Sequence, residues 1–535
     1  MSMRTAFVPL SALILVGACS AGGGPPATSP SDLASQRAAC AFQAGARATE
    51  TLPLTPAERA AIPIKNVVVL MKENRSFDHL LGKLHDTLQP DSEGIPPTFS
   101  NTDRNGATVA PFHEPTTCVS HDPDHQSLGM HAQVNGGQMD GFVTSAAYST
   151  GTDGHFVMGY YDSTDLPFYT WFASTFALAD RHFPSVRSGT YPNRNYLLLA
   201  TADGVSATGA GFPNPSTPTI FDALDAAGVT WGVYSDGSLL SGTLNWTMSH
   251  KGAHPFAEFL KALDDASLPQ VVFVDGIDNV EDEHPTGDVQ RGEAWTRNVY
   301  QHAISSKLWP GLALIWTYDE AGGFADHVPP PGSSCLARPQ DGPFTELGVR
   351  VPLVVASPWA KPHYVSHVVR EHTAITRFIE AVFDLPALTA RDANSDGLLD
   401  LFDFGKSALL QPPAAPPAGV GGCGNVVLTA DKPNYAPGDP IVVSFKNAPG
   451  NEPKDRIAVY PYTANGPTPP APGAILYQYI GNTHAPSTSP ASGAVTLDAS
   501  SVDKGPWPLP VGGYIAYYLL NDGYASVASI DFNVK

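Results

Sequence analysis

Charge is scarce in this 535-residue chain, and positive charge most of all. Charged residues make up 15%, and 30 Lys and Arg stand against 51 Asp and Glu, for a formal net charge of −21. So little basic charge excludes a nucleic-acid binder held by phosphate contacts, and it disfavours a broad basic face for anionic membranes. Cysteine is nearly as rare, with five in all. No two stand as Cys-x-x-Cys, so a thiolate metal centre is not expected. The apolar run near the N-terminus, Ala6 to Val16, is too short for a permanent membrane span.

That run has a signal's form instead. Arg4 precedes it, and it ends Val16-Gly17-Ala18-Cys19, which resembles a lipobox. Residues 1–19 are therefore expected to be a lipoprotein signal peptide with Cys19 lipidated. The mature protein would be an exported lipoprotein, anchored in a membrane and facing the periplasm or the cell exterior. Residues 20–60 read as a tether, rich in Gly, Pro and Ser at its start, and an N-terminal segment.

The length implies more than one core. Short apolar strands alternate with helices from Val67 to Phe383. Val67 to Met71, Thr230 to Tyr234, Val271 to Val274, Leu312 to Thr317 and Val351 to Ala356 read as strands. Leu166 to Asp180, Ile220 to Ala227, Gly292 to Ser306 and His372 to Phe383 read as helices. This pattern predicts an α/β fold, a doubly wound sheet between two helical layers, over residues 61–410. Residues 411–423 are a Pro/Ala/Gly-rich linker. Residues 424–535 carry short β-rich runs between turn residues, which predicts a β-sandwich. Asp392, Asn394, Asp396, Asp400 and Asp403 are spaced like an EF-hand loop, but the twelfth position lacks Glu and no helix follows, so capping and a solvated face are expected there.

Two strands end on acidic tips. Lys72-Glu73-Asn74 follows the first, and Tyr318-Asp319-Glu320 follows Leu312 to Thr317. In open α/β sheets ligands bind at the carboxyl ends of strands. Three carboxylates converging there would repel one another, and a divalent cation resolves the conflict. Oxygen ligands favour calcium, magnesium or manganese, so one such ion on Glu73, Asn74, Asp319 and Glu320 is expected. Thr190 lies just before Pro192, which suits the first turn of a helix, and helix N-termini hold anions.

Several stretches share their wording with a known family. They are Glu73-Asn-Arg-Ser-Phe-Asp, Cys118-x-x-His121-Asp122-x-x-His125, Asn135-Gly-Gly-x-Met-Asp-Gly-Phe, Thr190-x-Pro-Asn193, Glu283-His284-Pro and Asp319-Glu320-x-Gly-Gly-Phe-x-Asp326-His327. Together they resemble the bacterial and plant phosphoesterase family of non-specific phospholipases C and related acid phosphatases. The resemblance runs from about Pro63 to Phe404. It implies an alkaline-phosphatase-like α/β/α fold and a metal-dependent phosphoesterase. It puts Thr190 where the family has its nucleophilic Ser or Thr, so Thr190 also joins the metal ligands. It makes His284 and His327 candidates to hold the phosphoryl group and protonate the leaving oxygen. His121, Asp122, His125, Asn193 and Asp326 become candidates for binding substrate phosphate. Where the family often has His, this chain has Ala321.

The leading expectation is a phospholipase C acting on phospholipid head-group esters through a phosphothreonine. A broad acid phosphatase cleaving monoesters is the alternative. Outside enzymes, the alternative is an inactive surface lipoprotein that binds a partner. Apart from Cys19 there are four cysteines, enough for two disulfides. Cys118 and Cys335 neighbour the proposed site loops and Cys40 and Cys423 flank the catalytic region, so the expected pairs are Cys118–Cys335 and Cys40–Cys423.

Overall fold

The structure is a computed structural model. It describes residues 29–535 other than 115, 120, 212, 237–252, 333, 343–344, 420–425, 447–452, 464–465, 468–469, 471–472, 487–489, 491, 520–521 and 524–525. Cys19 and its lipobox lie outside the described residues. Among the described residues no helix is long and apolar enough to cross a membrane.

The large sheet has eight strands: β1 (Asn66–Lys72), β2 (Ala177–Phe183), β3 (Trp231–Tyr234), β4 (Val271–Val274), β5 (Leu312–Tyr318), β6 (Val351–Ala356), β7 (Tyr364–Ser366) and β8 (Arg370–Glu371). Their order is β7-β2-β6-β5-β1-β4-β3, with β8 also paired to β2. β6 alone runs against its neighbours β5 and β2. β1 is parallel to both β4 and β5 and is buried along its whole length. That is why Val67 to Met71 is apolar without alternation. The register pairs Lys72 with Tyr318, so the tips after β1 and β5 emerge side by side.

Helices pack on both faces. The ones that matter below are α1 (Phe77–Leu81), α2 (Ser127–Val134), α3 (Phe142–Thr150), α4 (Pro167–Thr175), α5 (Thr190–Leu199), α6 (Val289–Ser305) and α7 (Thr373–Phe383). Ser76 caps α1, its hydroxyl accepting from the His79 N–H. On one face Tyr169 of α4 packs on Trp316 of β5, with ring centroids 4.5 Å apart. Under the sheet edge, Lys72 Nζ donates to Glu283 Oε1 at 2.6 Å, and Tyr169 and Tyr318 donate to the same carboxylate. Gly292 of α6 is required by this pair: a Cβ there would stand 2.1 Å from Glu283 Oε1.

The stretch Leu166 to Asp180 is not one helix. α4 ends at Thr175 and β2 starts at Ala177. Its continuous apolarity suits both a helix and a strand buried on two faces, so periodicity could not place the break.

Residues 427–534 form two further sheets. One orders Val427–Ala430, Ile441–Lys446 and Gly493–Leu497; the other has six strands centred on Arg456–Thr463 and Gly512–Leu519. Val443, Phe445, Val459, Val495, Tyr518 and Phe532 make a common core. The segment before them follows α6 closely, with Gly419 N–H donating to Glu293 Oε2 at 2.6 Å and Arg297 Nε donating to the Pro416 carbonyl at 2.5 Å.

The disulfides differ from expectation. Cys40 bonds Cys335, which crosses both expected pairs. The N-terminal segment lies against residues 387–394, with Gly45 N–H donating to the Ala387 carbonyl and Phe42 N–H to Asn394 Oδ1. The Cys335 carbonyl accepts from Arg391 in that same region. Cys118 is disulfide-bonded as well, to a partner outside the described residues, and it packs in the sandwich core. Position along the chain was a poor guide to these neighbours. The Asp-rich comb is structural: Asp392 completes a capping box with Thr389, and Asp396 and Asp400 each approach Arg370 at 2.9 Å.

Candidate functional site

β1 and β5 deliver their tips to one buried point. Glu73, Asn74, Asp319 and Glu320 are all almost fully buried. Asn74 sits at a φ of 61°, and its N–H approaches Asp319 Oδ1 at 3.4 Å. The Gly-Gly after Ala321 lets the second tip fold back on the first: Gly322 has a φ of +65°, and a Cβ there would meet the Asn74 carbonyl at 2.3 Å.

α5 brings Thr190 to the same point. Gly189 is its N-cap and Thr190 its first residue. The hydroxyl of Thr190 donates to Glu73 Oε2 at 3.1 Å. Pro192 has no N–H and Tyr191 N–H approaches Thr208 Oγ1 at 3.4 Å, so this helix start offers fewer free donors than most. Asn193 is turned to the loop before Thr190. Its amide accepts from Val186 N–H and donates to the Ser188 and Gly189 carbonyls.

One counter-charge was not anticipated from the sequence. Arg194 stands one turn after Thr190, buried, with Nε and Nη2 on Glu73 Oε1 at 3.0 and 2.8 Å and Nη1 on Asp275 Oδ1 at 3.2 Å. Its Nε is 3.8 Å from Asp319 Oδ2. Burial would depress its pKa, but Glu73, Asp275 and Asp319 hold it above the ordinary value. The i to i+4 spacing from Thr190 and the position of Asp275 at the end of β4 were the signals to read. His372 was also missed; its Nε2 lies 2.7 Å from the Asp319 carbonyl.

One guanidinium does not balance this many carboxylates. Burial, reinforced by Glu73, pushes Asp319 well above the carboxylate range against the pull of Arg194. Burial likewise pushes Glu320 up to about 8, against the pull of His125. Asn74 Oδ1, Asp319 Oδ2 and Glu320 Oε1 are buried oxygens with no hydrogen-bond partner. Orphaned oxygens on acidic and amide side chains at one point fit a hard divalent cation, which would meet them and keep the acids ionised.

Two histidines border this cluster. His125 Nε2 is 3.5 Å from Asn74 Nδ2 and 4.0 Å from Glu320 Oε1. Burial opposes its charge, but Glu320 and Asp122 lift its pKa well above the ordinary value. His284 faces it, ring centroid to ring centroid at 5.6 Å, and Asp122, His125 and His284 could share a ligand among them. The structure thus brings together Glu73, Asn74, Thr190, Asp319, Glu320, His125, Asp122 and His284.

The other sequence candidates have partners of their own. His327 Nδ1 is 2.7 Å from Asp78 Oδ2, and its N–H donates to the same oxygen. Asp326 is buried against Arg350, which also reaches Asp78. This second network fastens the loop after β5 to α1, and Ser76 adds a bond to the Ala325 carbonyl at 2.7 Å. His121 lies tilted against Phe156, with its pKa lowered by burial and by Lys454.

The Phosphoesterase family model matches residues 64–386. Non-specific phospholipase C4 of Arabidopsis thaliana is 32% identical over 382 residues, covering 62% of this chain and 70% of that protein. Phospholipase C B of Mycobacterium tuberculosis is 31% identical over 446 residues, covering 69% of this chain and 84% of that protein. Among solved structures, the phosphonate monoester hydrolase of Silicibacter pomeroyi matches 42% of this chain and 69% of its own, at 12% identity and a TM-score of 0.29. With the family match spanning the sheet and both acidic tips, this chain belongs to the Phosphoesterase family and is a hydrolase of phosphoric ester bonds.

Proposed function

We propose that the protein is an exported, metal-dependent phospholipase C that cleaves phospholipid to diacylglycerol and a phosphorylated head group. The single observation that carries the chemistry is the Thr190 hydroxyl, 3.1 Å from Glu73 beside three orphaned buried oxygens. The phospholipases C among its relatives support the substrate class.

Glu73, Asn74, Asp319, Glu320 and Thr190 would hold the divalent cation. It would supply the positive charge that makes a hydroxyl a competent nucleophile and offsets charge developing on the phosphoryl oxygens. The chain's residues do the rest. Arg194 fixes one oxygen of Glu73 and leaves the other to receive the Thr190 proton. The freed oxygen attacks phosphorus in line, forming a Thr190–phosphate ester as the bond to the diacylglycerol oxygen breaks. His284 or His125, at the rim of the cluster, gives that oxygen a proton. Water then attacks phosphorus in the diester that joins Thr190 to the head group and releases the phosphorylated head group, as Glu73 returns its proton to Thr190 and the histidine that served the leaving oxygen takes the proton water gives up. Such transfer depends on positioning and charge stabilisation more than on covalent help.

Phosphatidylcholine, p-nitrophenylphosphorylcholine and p-nitrophenyl phosphate, each with and without chelator, form the test. The expected result is diacylglycerol release and turnover of the choline ester, both lost with chelator. Fast turnover of p-nitrophenyl phosphate with neither choline ester touched would replace this reading with an acid phosphatase. Palmitate labelling of the wild type and not of Cys19→Ser would support the lipid anchor.

A further inference from the structure

Two apolar side chains stand almost wholly in solvent beside the site. Leu128, on α2, and Tyr148, on α3, are each 87% exposed; among the described large apolar residues the next is Val511 at 71%. Exposed leucines scattered singly need no explanation, but these two share one place. Asp124 joins them. Its carboxylate lies against Gly129, where a Cβ would come within 2.4 Å, and its N–H donates to Ser149 Oγ at 3.2 Å. Leu128 and Tyr148 are the chain neighbours of those two residues. The first turn of α2 and the last turn of α3 therefore present them at one end of the helix pair.

That end belongs to the rim of the site. Asp124 immediately precedes His125. Gln126, the N-cap of α2, reaches the opposite wall: a Cβ on Gly189 would stand 2.8 Å from its Nε2, and Thr208 N–H approaches its Oε1 at 3.3 Å. Leu128 is thus two residues from a side chain that touches the residue before Thr190.

We propose that Leu128 and Tyr148 form a docking surface for a phospholipid bilayer, of zwitterionic rather than anionic head groups. The inference rests on the phospholipase C reading for its motive, because a diacyl substrate must leave the bilayer next to the cluster that cleaves it. Leucine gains by entering the acyl boundary, and tyrosine suits the head-group level, with an apolar ring and a polar tip. The neighbouring charges select the lipid. Asp122 and Asp153 are exposed, and His131 is paired with Glu346, so the rim meets a cationic choline or ethanolamine group better than a phosphatidylserine surface. Lys454, near His121, is a basic neighbour on this side.

The experiment uses the full chain with Cys19→Ser in every arm, so that no N-terminal lipid holds it to the membrane. Leu128→Ser/Tyr148→Ser is compared with this parent by co-flotation with vesicles of phosphatidylcholine, alone or with added phosphatidylserine. The parent should float with phosphatidylcholine alone, and the double variant should partition at least about tenfold more weakly, as loss of two inserted side chains requires. Turnover of the soluble p-nitrophenylphosphorylcholine should not change. Equal flotation of parent and variant overturns the proposal. So does binding by the parent only when phosphatidylserine is present, or a parent that dimerises through this surface and ignores vesicles. A parent that floats as expected yet hydrolyses no choline ester would sink the phospholipase C reading and leave the docking surface standing.

Discussion

Arg194 holds Oε1 of Glu73 with two nitrogens, at 3.0 and 2.8 Å, and so leaves Oε2 to the hydroxyl of Thr190. The arrangement divides one carboxylate between a structural cation and a reacting group. Most consequences for mutagenesis follow from that division.

Thr190→Ala should lower turnover by at least about a thousandfold, because it removes the hydroxyl that Glu73 holds. Thr190→Ser should keep most activity. Both should unfold near the wild-type urea midpoint, since among the described residues Thr190 makes one side-chain bond, at a helix start. Acid quench during turnover of phosphatidylcholine and mass spectrometry should find phosphocholine on Thr190. A Thr190→Ala enzyme with near-normal rates would point to direct attack by water.

Arg194→Met should cost about 3–5 kcal/mol, the usual penalty for stranding buried carboxylates by removing their partner. Arg194→Lys should recover part of this, since a lysine is a point charge that cannot serve Glu73 and Asp275 together. Urea titration checks both. A neutral Arg194→Met would mean that the acids are compensated from elsewhere.

Asp319→Asn should weaken metal affinity and turnover together, with excess metal restoring some rate. Isothermal titration with calcium, magnesium and manganese reads the affinity without relying on activity. In the wild type, chelator should lower the melting temperature, because a ligand bound only to the folded state stabilises it.

Gly292→Ala should destabilise the protein by about 3 kcal/mol, although alanine ordinarily favours a helix interior over glycine. The added methyl would stand 2.1 Å from Glu283 Oε1 and force apart the buried Lys72–Glu283 pair. A neutral or stabilised variant, read by urea denaturation, would show that the carboxylate can move aside.

Asp78→Asn should flatten the pH dependence of stability above the ordinary histidine value of about 6.5. Burial disfavours charge on His327, but Asp78 and Asp326 raise its pKa, with Arg350 opposing. A raised histidine pKa gives stability that is complete below the unfolded value and is lost as pH rises through the folded one. The wild type should therefore weaken over that window more steeply than the variant. Parallel slopes would assign no role to the Asp78–His327 contact.

The elements most legible in the sequence were those where one physical cause dominates. β1, β4, β5 and β6 are short runs with apolar middles closed by polar residues, and the acidic tips after β1 and β5 stand together as read. The helix start at Thr190 was readable from Pro192. Legibility failed where two causes give the same pattern. The aromatic run through Phe176 is as good a strand as a helix, and only tertiary packing divides it. His327 and His284 looked alike, each beside an acid in a shared motif, but one is fastened to Asp78 and the other faces His125. Arg194 escaped notice because its value lies in what three distant strands bring to it.

β1 stands at the middle of the sheet, and its partners come far later in the chain: Val67 pairs with Val271 on one side and Ala313 on the other. During synthesis this strand is made early, apolar from Val67 to Met71, with both edges open. Half of the site thus exists long before the other half, and nothing local can close it. Folding here is a late, non-local event, exposed to aggregation in the interval. The yield of active protein should depend on how long a nascent Val67–Met71 is kept from other strands as much as on the stability of the finished molecule.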